Sequence, residues 1–269
     1  MRIVRFLDSS GDEQFGLDRG DGTAECLAGS IYEPARSPGT AARIERIGKR
    51  LAPIKPTNIF CIGLNYRAHA RESGIDPGPY PTVFMKPTTA AIAPGEPIRV
   101  PSCSLAGPEV DYECELAVVI ARTCRDVPAD GTLEHVLGYT CANDVSARNW
   151  QTSGGGGQWI RGKSFDSFCP LGPVLVTADE LPDPQNLRVT TRLNGELMQD
   201  GATADMIFTV SELISFLSRD TTLLPGTVIL TGTPPGVGFA RKPPVFLRAG
   251  DRVAVEVEGI GILANDVTD

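Results

Sequence analysis

The chain has 269 residues, which is enough for one large domain with its own core or for a main domain with a small appendage. Its formal net charge is −8, from 25 Lys and Arg against 33 Asp and Glu, so nucleic acid and anionic membranes are poor partners. The apolar stretches are shorter than the roughly 20 residues that span a bilayer. The start, MRIVRFLDSSGDE, lacks the pattern of a secretory signal, so a cytoplasmic protein is expected.

The first part of the chain has the pattern of a small appendage. RIVRFL at 2–7 predicts a strand, Gly20-Asp21-Gly22 predicts a turn, and AARIERIG at 41–48 predicts a short helix. Pro53 and Pro56 then mark a junction. These patterns predict a small N-terminal α+β domain over 1–55 and a larger domain over 56–269.

Strand patterns dominate the larger part. Runs rich in β-branched residues predict strands over 82–86, 110–121, 172–177, 187–193, 227–232 and 252–258. Asn194-Gly195 predicts a hairpin turn. Helices are predicted over 66–73, over 133–137 and in TVSELISFLS, where Thr209 and Glu212 fit a capping box. Because alternating strand–helix units are absent, the pattern predicts a mixed α/β, β-rich fold rather than a doubly wound parallel one.

Cysteine and histidine usage restricts the kinds of metal site. The seven cysteines are scattered and form no C-x-x-C pair, so neither a disulfide framework nor a thiolate zinc site is indicated. The two histidines, His69 and His135, are too few for a multi-histidine site, and His135 is expected to be structural. Any metal site would therefore depend on oxygen ligands.

Acidic residues cluster in DYECEL at 111–116. Residues two apart on a strand share a face, so Asp111, Glu113 and Glu115 are expected on one face, either solvated or neutralised by a cation. The apolar run LAVVIA that follows indicates a buried strand and favours the cation. Asp144, after another buried strand, is either a helix N-cap or a third ligand. Three carboxylates suit Mg²⁺ or Mn²⁺.

Other polar residues have both a surface and a functional interpretation. His69 and Glu72 are three apart on a predicted helix, so Glu72 either orients His69 as a general base or forms a solvated pair with it. TGTPPGVG at 231–238 is a weak anion-binding pattern that lacks the lysine of a P-loop. The remaining candidates, which each fit a surface role when taken alone, are Arg148, Gln151 and Lys163.

Seven sequence blocks, in order, carry a resemblance to a known family. They are IGLNYRAHARESG, FMKPTTA, DYECELAVVI, GYTCANDVSARNWQ, RGKSFDSFCPLGP, LNGELMQDG and LTGTPPGVG. From about Ile59 to the C-terminus the chain resembles the fumarylacetoacetate hydrolase family, in its shorter branch of acylpyruvate hydrolases and 2-hydroxyhepta-2,4-diene-1,7-dioate isomerases. The resemblance implies a β-roll or sandwich-like catalytic domain after a small N-terminal domain, usually in a homodimer.

The resemblance also implies roles for individual residues. Glu113, Glu115 and Asp144 are similar to the family's ligands for Mg²⁺ or Mn²⁺. The family's larger members place an extra acid ahead of the histidine, but CIGLNYRAH contains none, so three protein carboxylates are expected. The other implied site residues are His69 and Glu72 as a dyad on a lid, Lys163 as a catalytic residue, and Arg148, Gln151 and Thr233 as substrate-binding residues.

A metal-dependent enzyme acting on small 2-oxo acids follows from the resemblance. The leading hypothesis is hydrolysis of a C–C bond in a 2,4-dioxo acid of the acylpyruvate or fumarylpyruvate type. His69 would activate water, and the metal and Lys163 would stabilise a pyruvate enolate. The same residues fit an oxaloacetate decarboxylase or a 2-hydroxyhepta-2,4-diene-1,7-dioate isomerase. A non-catalytic 2-oxo-acid-binding protein is the alternative from a different class.

Overall fold

The computed structural model of the chain describes residues 1–32, 43–103, 107, 109–152, 154 and 156–269. In these ranges the strands, β1 to β19 in chain order, are Arg2–Leu7, Glu13–Asp18, Thr23–Cys26, Ile44–Arg46, Lys49–Arg50, Asn58–Gly63, Thr82–Lys86, Ala91–Ile92, Ile98–Arg99, Val110–Asp111, Cys114–Ile120, Val136–Asn143, Ser146–Ala147, Cys169–Thr177, Arg188–Leu193, Glu196–Ala202, Thr227–Leu230, Arg252–Val257 and Gly261–Thr268. The α-helices, α1 to α4, are Arg67–Ser73, Arg148–Gln151, Trp159–Lys163 and Val210–Ser218. The predicted mixed α/β, β-rich class is confirmed.

Two sheets form the body of the fold. The larger sheet has the strand order β4-β3-β2-β1-β14-β12-β11-β17-β6-β7, with β5 beside β1 and β8 beside β14. The smaller sheet has the order β16-β15-β18-β19-β9 and packs against β11, β12 and β14. β10 and β13 form a separate antiparallel pair.

Strand β11 lies at the centre of the large sheet and is buried on both faces. Leu116, Val118 and Ile120 belong to the core between the two sheets. Ala117 and Val119 belong to a second core on the opposite face. This burial explains why LAVVI is apolar at every position rather than alternating, as the sequence predicts for a central strand.

Several strand ends meet at one edge of the large sheet. β11 and β12 are antiparallel with Cys114 opposite Asn143, so the start of β11 lies beside the end of β12. β17 is antiparallel to β11 and parallel to β6, so β17 and β6 end at the same edge. Glu113, Asp144, the turn after β17 and the helix after β6 therefore converge there.

The N-terminal strands continue the large sheet. β1 pairs with β14 through Arg2–Val176 and Ile3–Leu175. The domain boundary at residue 55 stays a prediction. The short helix predicted over 41–48 is wrong where the structure describes it: Ile44–Arg46 is strand β4, paired with β3, while residues 41 and 42 lie outside the described residues.

Two of the other local predictions, the capping box and the hairpin turn, are confirmed, and one predicted helix is wrong. The Thr209–Glu212 capping box is present at the start of α4, and Asn194-Gly195 joins β15 to β16 with φ angles of 52° and 87°. The helix predicted over 133–137 is corrected, because a 3₁₀ helix covers Ala129–His135 and strand β12 begins at Val136. Among the described helices, none is long and apolar enough to cross a membrane.

Candidate active site

Glu113, Glu115 and Asp144 form a compact carboxylate cluster at this sheet edge. One oxygen atom of each lies within 4.8 Å of the others, and the residues are only 6%, 1% and 0% exposed. The Asp144 N–H donates to the Glu113 carbonyl over 2.9 Å, which fixes the two segments side by side. Asp144 is not a helix N-cap, since α2 begins at Arg148 after Ala147. The structure thus brings together the three residues predicted as ligands.

Asp111 does not join this cluster. The strand predicted over 110–121 is interrupted, because Asp111 belongs to β10 whereas β11 begins at Cys114. Asp111 Oδ2 lies 2.8 Å from both Nε and Nη2 of Arg148. Its two carboxylate oxygens also accept the N–H groups of Gly238 and Phe239, over 2.7 and 3.0 Å. Asp111 therefore ties Arg148 to the turn that follows β17.

Lys163 lies against the cluster with every donor in use. Its Nζ donates to Glu113 Oε2 over 3.0 Å, to Asp144 Oδ2 over 2.7 Å and to Ser146 Oγ over 2.7 Å. Lys163 is 1% exposed. A lysine ammonium has three donors, so in this arrangement Lys163 orients two carboxylates of the cluster.

Lys86, at the end of β7, is a second buried lysine that the sequence analysis missed. Its Nζ donates to the carbonyls of Val145, Lys163 and Phe168 over 3.0, 2.6 and 2.8 Å. It also lies 2.6 Å from Asp144 Oδ1, an ion contact beyond the three hydrogen bonds that the ammonium can donate. The available signal was the strand alternation in TVFMK, which puts Lys86 on the same buried face as Phe84.

Buried charges of both signs determine the titration of the cluster. Four carboxylates face three cations, which leaves one negative charge; the seven residues are Asp111, Glu113, Glu115 and Asp144 with Lys86, Arg148 and Lys163. Burial raises the pKa of Glu113, but the Lys163 and Arg148 charges outweigh it and lower that pKa to about 2. Burial, together with the Asp144 and Glu113 charges, raises the pKa of Glu115 well above its usual value. Glu115 is therefore the carboxylate that most lacks a compensating positive charge.

The donor set fits a hard divalent cation. Asp144 Oδ1 is buried, and among the described residues it makes a 2.6 Å ion contact with Lys86 Nζ, so a carboxylate lone pair is left for a ligand bond. Glu115 Oε2 accepts the Gly232 N–H over 2.7 Å, which orients that carboxylate. Oxygen donors and a residual negative charge are what Mg²⁺ and Mn²⁺ prefer. The cluster could therefore hold one such ion.

Helix α1, which we call the lid helix, carries His69 and Glu72 over the cluster. His69 is 7% exposed, and its Nδ1 lies 3.1 Å from Glu72 Oε2. The two oxygens of Glu72 also accept the Gly236 N–H, over 3.0 and 3.1 Å. Because His69 is buried and Glu72 contacts the turn after β17, the two residues are not a solvated surface pair.

One pocket joins the lid helix to the carboxylate cluster. Its polar lining consists of His69, Glu113, Arg148, Gln151, Lys163 and Thr233, together with Ser73 and Thr152. Its apolar lining consists of Ile62, Leu64, Ile75, Phe84, Trp159 and Phe239. Six of the nine predicted site residues therefore line a single pocket. Glu72 and Asp144 contact His69 and Lys163 of its lining, and an oxygen of Glu115 lies within 4.8 Å of one of Glu113.

The three predicted substrate-binding residues already have protein partners. Arg148 Nη1 donates to Gln151 Oε1 over 2.9 Å and lies 2.6 Å from Glu113 Oε1. Thr233 Oγ1 donates to the Cys114 carbonyl over 2.9 Å and accepts from Gln199 Nε2 over 2.8 Å. Their position on the pocket is shown by the structure, whereas contact with substrate stays a prediction.

Two buried amides that the sequence analysis did not single out hold the segments around the pocket. Gln199 Oε1 accepts the Cys114 N–H over 2.9 Å, and its Nε2 also donates to the Pro234 carbonyl over 2.8 Å. Asn65 Nδ2 donates to the carbonyls of Thr231 and Phe208 over 2.8 and 3.0 Å. Both lie in blocks that carry the family resemblance, and this was the only signal available for them.

Comparison with known proteins identifies the family of the chain. Residues 58–268 match the family described as fumarylacetoacetate (FAA) hydrolase, C-terminal. The chain is 49% identical over 218 residues to the mitochondrial oxaloacetate tautomerase FAHD2B of Bos taurus, which covers 81% of this chain and 68% of that protein. It is 42% identical over 277 residues to a putative hydrolase of Burkholderia lata, Bcep18194_B0137, which covers 97% and 96% of the two chains.

A solved structure also matches over its whole length. The 5-carboxymethyl-2-hydroxymuconate delta-isomerase of Mycobacterium smegmatis superposes with a TM-score of 0.85 and 39% identity, covering 100% of this chain and 99% of that one. The family match spans far more than half of the sequence and contains the carboxylate cluster, the lid helix and the pocket. The chain belongs to the fumarylacetoacetate hydrolase family.

Proposed function

We propose that the chain interconverts the keto and enol forms of small 2-oxo acids of the oxaloacetate type. The observation that carries this proposal is that His69 lines one pocket together with Glu113, which belongs to the carboxylate cluster. A 2-oxo acid held by its carboxylate and keto oxygens at the cluster would present its C3 hydrogens to the lid side. The 49% identical relative named as an oxaloacetate tautomerase supports this substrate class.

The dyad supplies the proton transfer. With Nδ1–H directed at Glu72 Oε2, 3.1 Å away, His69 has Nε2 left to accept a proton from C3. The C–H electron pair becomes the C2–C3 double bond, and the carbonyl π electrons move to the C2 oxygen. The imidazolium, stabilised by Glu72, returns the proton to that oxygen, directly or through one water, which gives the enol and neutral His69.

Glu113, Glu115 and Asp144 would hold Mg²⁺ or Mn²⁺, and such an ion supplies Lewis acidity that stabilises negative charge developing on the keto oxygen. Lys163 orients Glu113 and Asp144 through the contacts described above. The Gly236 N–H, by holding Glu72, keeps the dyad over the pocket. Burial of these groups excludes water, which strengthens each electrostatic contact.

C–C bond hydrolysis of a 2,4-dioxo acid, the leading hypothesis from the sequence, is the second candidate. It uses the same pocket, with His69 activating a water instead of removing a C3 proton. The putative hydrolase of Burkholderia lata, which matches nearly the whole chain, supports it. Decarboxylation of oxaloacetate and isomerisation of a hydroxydienoic diacid remain alternatives, the latter supported by the isomerase from Mycobacterium smegmatis.

One substrate panel tests the proposal. Purified protein with Mg²⁺ or Mn²⁺ is assayed with oxaloacetate for enol formation and CO₂ release, with acetylpyruvate for cleavage, and with a hydroxydienoic diacid for isomerisation. We expect oxaloacetate tautomerisation to be fastest, and His69→Ala to lower it about 10²- to 10⁴-fold. His135→Ala is the matched control, because His135 does not line the pocket. Faster acetylpyruvate cleavage, or tautomerisation unaffected by His69→Ala, would overturn the proposal.

Two further expectations stay predictions. The homodimer is tested by light scattering coupled to gel filtration, where a mass of twice 28.6 kDa is expected. The cytoplasmic location is tested by imaging or fractionation in the source cell. The mitochondrial location named for the Bos taurus relative makes that measurement informative.

A further inference from the structure

Trp159, the first residue of α3, lies across the end of strand β6. A Cβ atom added at Gly63 would lie 2.6 Å from Cζ3 of the Trp159 ring, so the ring occupies the space that a side chain at Gly63 would need. The ring also packs edge-to-face on Phe84, with centroids 5.7 Å apart and planes at 70°. These contacts fix the indole between strands β6 and β7.

The indole separates the active-site pocket from a second cavity. This cavity, which we call the outer groove, is open to the surface and is lined by Val83, Ile160 and Arg161 among others. Phe84 and Trp159 line both the pocket and the outer groove. Phe84 is only 6% exposed and belongs to the core, so its ring is held in place. Trp159 is therefore the removable part of the partition.

The partition lies beside both apolar and polar lining of the pocket. Ile62, Leu64 and Ile75 line the pocket together with Trp159, and Lys163 Nζ lies 5.1 Å from the centroid of the Phe84 ring. A 2-oxo acid whose polar head lies at Glu113 and Lys163 would therefore bring its C4 substituent close to the partition. The length of that substituent is then limited by the indole.

We propose that Trp159 determines specificity by closing the pocket on the side of the outer groove, so that short 2-oxo acids are accepted and those with a bulky apolar tail are rejected. This inference rests on the proposed 2-oxo acid chemistry and adds to it a limit on substrate length. Trp159→Ala joins the pocket to the outer groove and gives a long tail a path to the surface. Trp159→Phe shortens the partition only in part.

The test compares two acids with the same head. These are 2-oxobutanoate and 2-oxo-4-phenylbutanoate, which differ in a phenyl group on C4. For each protein we would measure the rate of C3 hydrogen exchange into D₂O by NMR and, separately, the Kd by calorimetry in the presence of Mg²⁺. The ratio of kcat/KM between the two acids does not depend on the fraction of folded enzyme, so a partly destabilised variant still gives a valid answer.

Ile160→Ala is the matched control, because Ile160 is 56% exposed and lines the outer groove but not the pocket. We expect Trp159→Ala to shift the kcat/KM ratio towards the phenyl acid about 10- to 100-fold, since a single methylene group in an apolar pocket already changes discrimination about 10-fold or more. Trp159→Phe should give a smaller shift, and Ile160→Ala none. The Kd ratio should move in the same direction.

An unchanged ratio in Trp159→Ala, or an equal shift in Ile160→Ala, would overturn the inference. If the wild-type protein exchanges the C3 hydrogens of neither acid, the Kd ratio alone decides whether Trp159 is a partition, and the oxaloacetate assay described above decides separately whether the proposed chemistry holds. In that case the inference is rejected if Trp159→Ala binds the phenyl acid no more tightly than the wild type does.

Discussion

The carboxylate cluster and the lid helix face each other across one pocket, yet they are held in place by different means. Glu115 lies in the central strand β11, and the neighbouring Glu113 and Asp144 are fixed by the register between β11 and β12. The lid helix has only seven residues, and its N-cap, Tyr66, makes no side-chain capping bond. Isolated helices this short are unstable in water, so its position depends on contacts made elsewhere.

Those contacts lie at both ends of the helix. At its start, Arg67 Nη1 donates to the carbonyls of Asp205 and Met206. Asp205 Oδ2 accepts the Ala68 N–H over 2.8 Å, and Glu72 holds the Gly236 N–H at the other end of the helix. The cluster, by contrast, is surrounded by buried lysines and by backbone of the large sheet. From this difference we infer a division of labour: the cluster would bind the metal independently of the lid, whereas the proposed proton transfer would require the lid in place. Each prediction below tests one side of this division.

The largest effect is expected from Glu115→Ala. Removing this carboxylate leaves two of the three predicted ligands and should weaken Mg²⁺ binding at least about 100-fold, since losing even an outer partner of a ligand costs about 10- to 100-fold. Tautomerisation should be lost with it. Calorimetry measures the metal affinity, and Glu256→Ala, an exposed glutamate on β18, is the control. Undiminished Mg²⁺ affinity would show that Glu115 is not a ligand.

Two variants at Glu72 distinguish its effect on proton transfer from its effect on the position of the lid helix. Glu72→Gln keeps an oxygen for the Gly236 N–H but removes the charge beside His69, so kcat should fall about tenfold while hydrogen exchange in 67–73 stays unchanged. Glu72→Ala removes both contacts and should also speed exchange in the lid helix. Metal affinity should stay within twofold in both variants. A loss of metal affinity would contradict the division between cluster and lid.

The parts of the site that the sequence predicts are those set by short periodic patterns. The two-residue spacing relates Glu115, on β11, to Glu113, which directly precedes that strand, and the three-residue spacing of a helix relates His69 to Glu72. The joining of these pairs into one pocket depends on the strand order β12-β11-β17-β6, which no local pattern contains. Only the resemblance to a known family supplied that information.

Lys86 and Trp159 are two residues of the site that the sequence did not predict. Lys86 is tolerated in a core because carbonyls from three distant segments and Asp144 surround its ammonium, and such a set of partners exists only in the folded chain. Trp159 lies over Gly63, almost a hundred residues earlier in the sequence. The helix predicted over 41–48 failed for a related reason, because pairing with β3 decides the conformation of Ile44–Arg46.

A smaller effect is expected on the stability of the metal-free protein. The pKa of Glu115 is raised in the folded state by burial and by the Asp144 and Glu113 charges. The stability linked to this group is therefore present below its ordinary pKa of 4.5 and is lost as the pH rises from there through the raised value. The pKa of Glu113 is lowered to about 2, so its effect is opposite: the stability linked to Glu113 is present above its ordinary pKa of 4.5 and is lost as the pH falls from 4.5 through about 2.

Denaturant unfolding in EDTA between pH 5 and pH 8 tests this assignment. Unfolding free energy should fall with pH in the wild type and fall less steeply in Glu115→Gln, which cannot ionise. Mg²⁺ should remove most of the difference by neutralising the cluster. Parallel pH profiles for the two proteins in EDTA would mean that Glu115 is not the uncompensated charge.

The smallest effect tests the lid alone. Asp205→Ala removes the carboxylate that accepts the Ala68 N–H near the start of the lid helix. Loss of an N-terminal cap costs about 1 kcal/mol, which corresponds to a roughly fivefold increase in local opening, so hydrogen exchange in 67–73 should speed up by about that factor. Tautomerisation should fall modestly, because His69 is over the pocket for less of the time, and Mg²⁺ affinity should not change. Thr203→Ala is the control, because Thr203 lies in the same 3₁₀ turn, Thr203–Asp205, and its hydroxyl accepts the Leu187 N–H instead of an N–H of α1. Equal exchange rates in Asp205→Ala and wild type would mean that the Asp205 carboxylate does not hold the lid, and that the contact of Glu72 with Gly236 and those of Arg67 with the Asp205 and Met206 carbonyls suffice to do so.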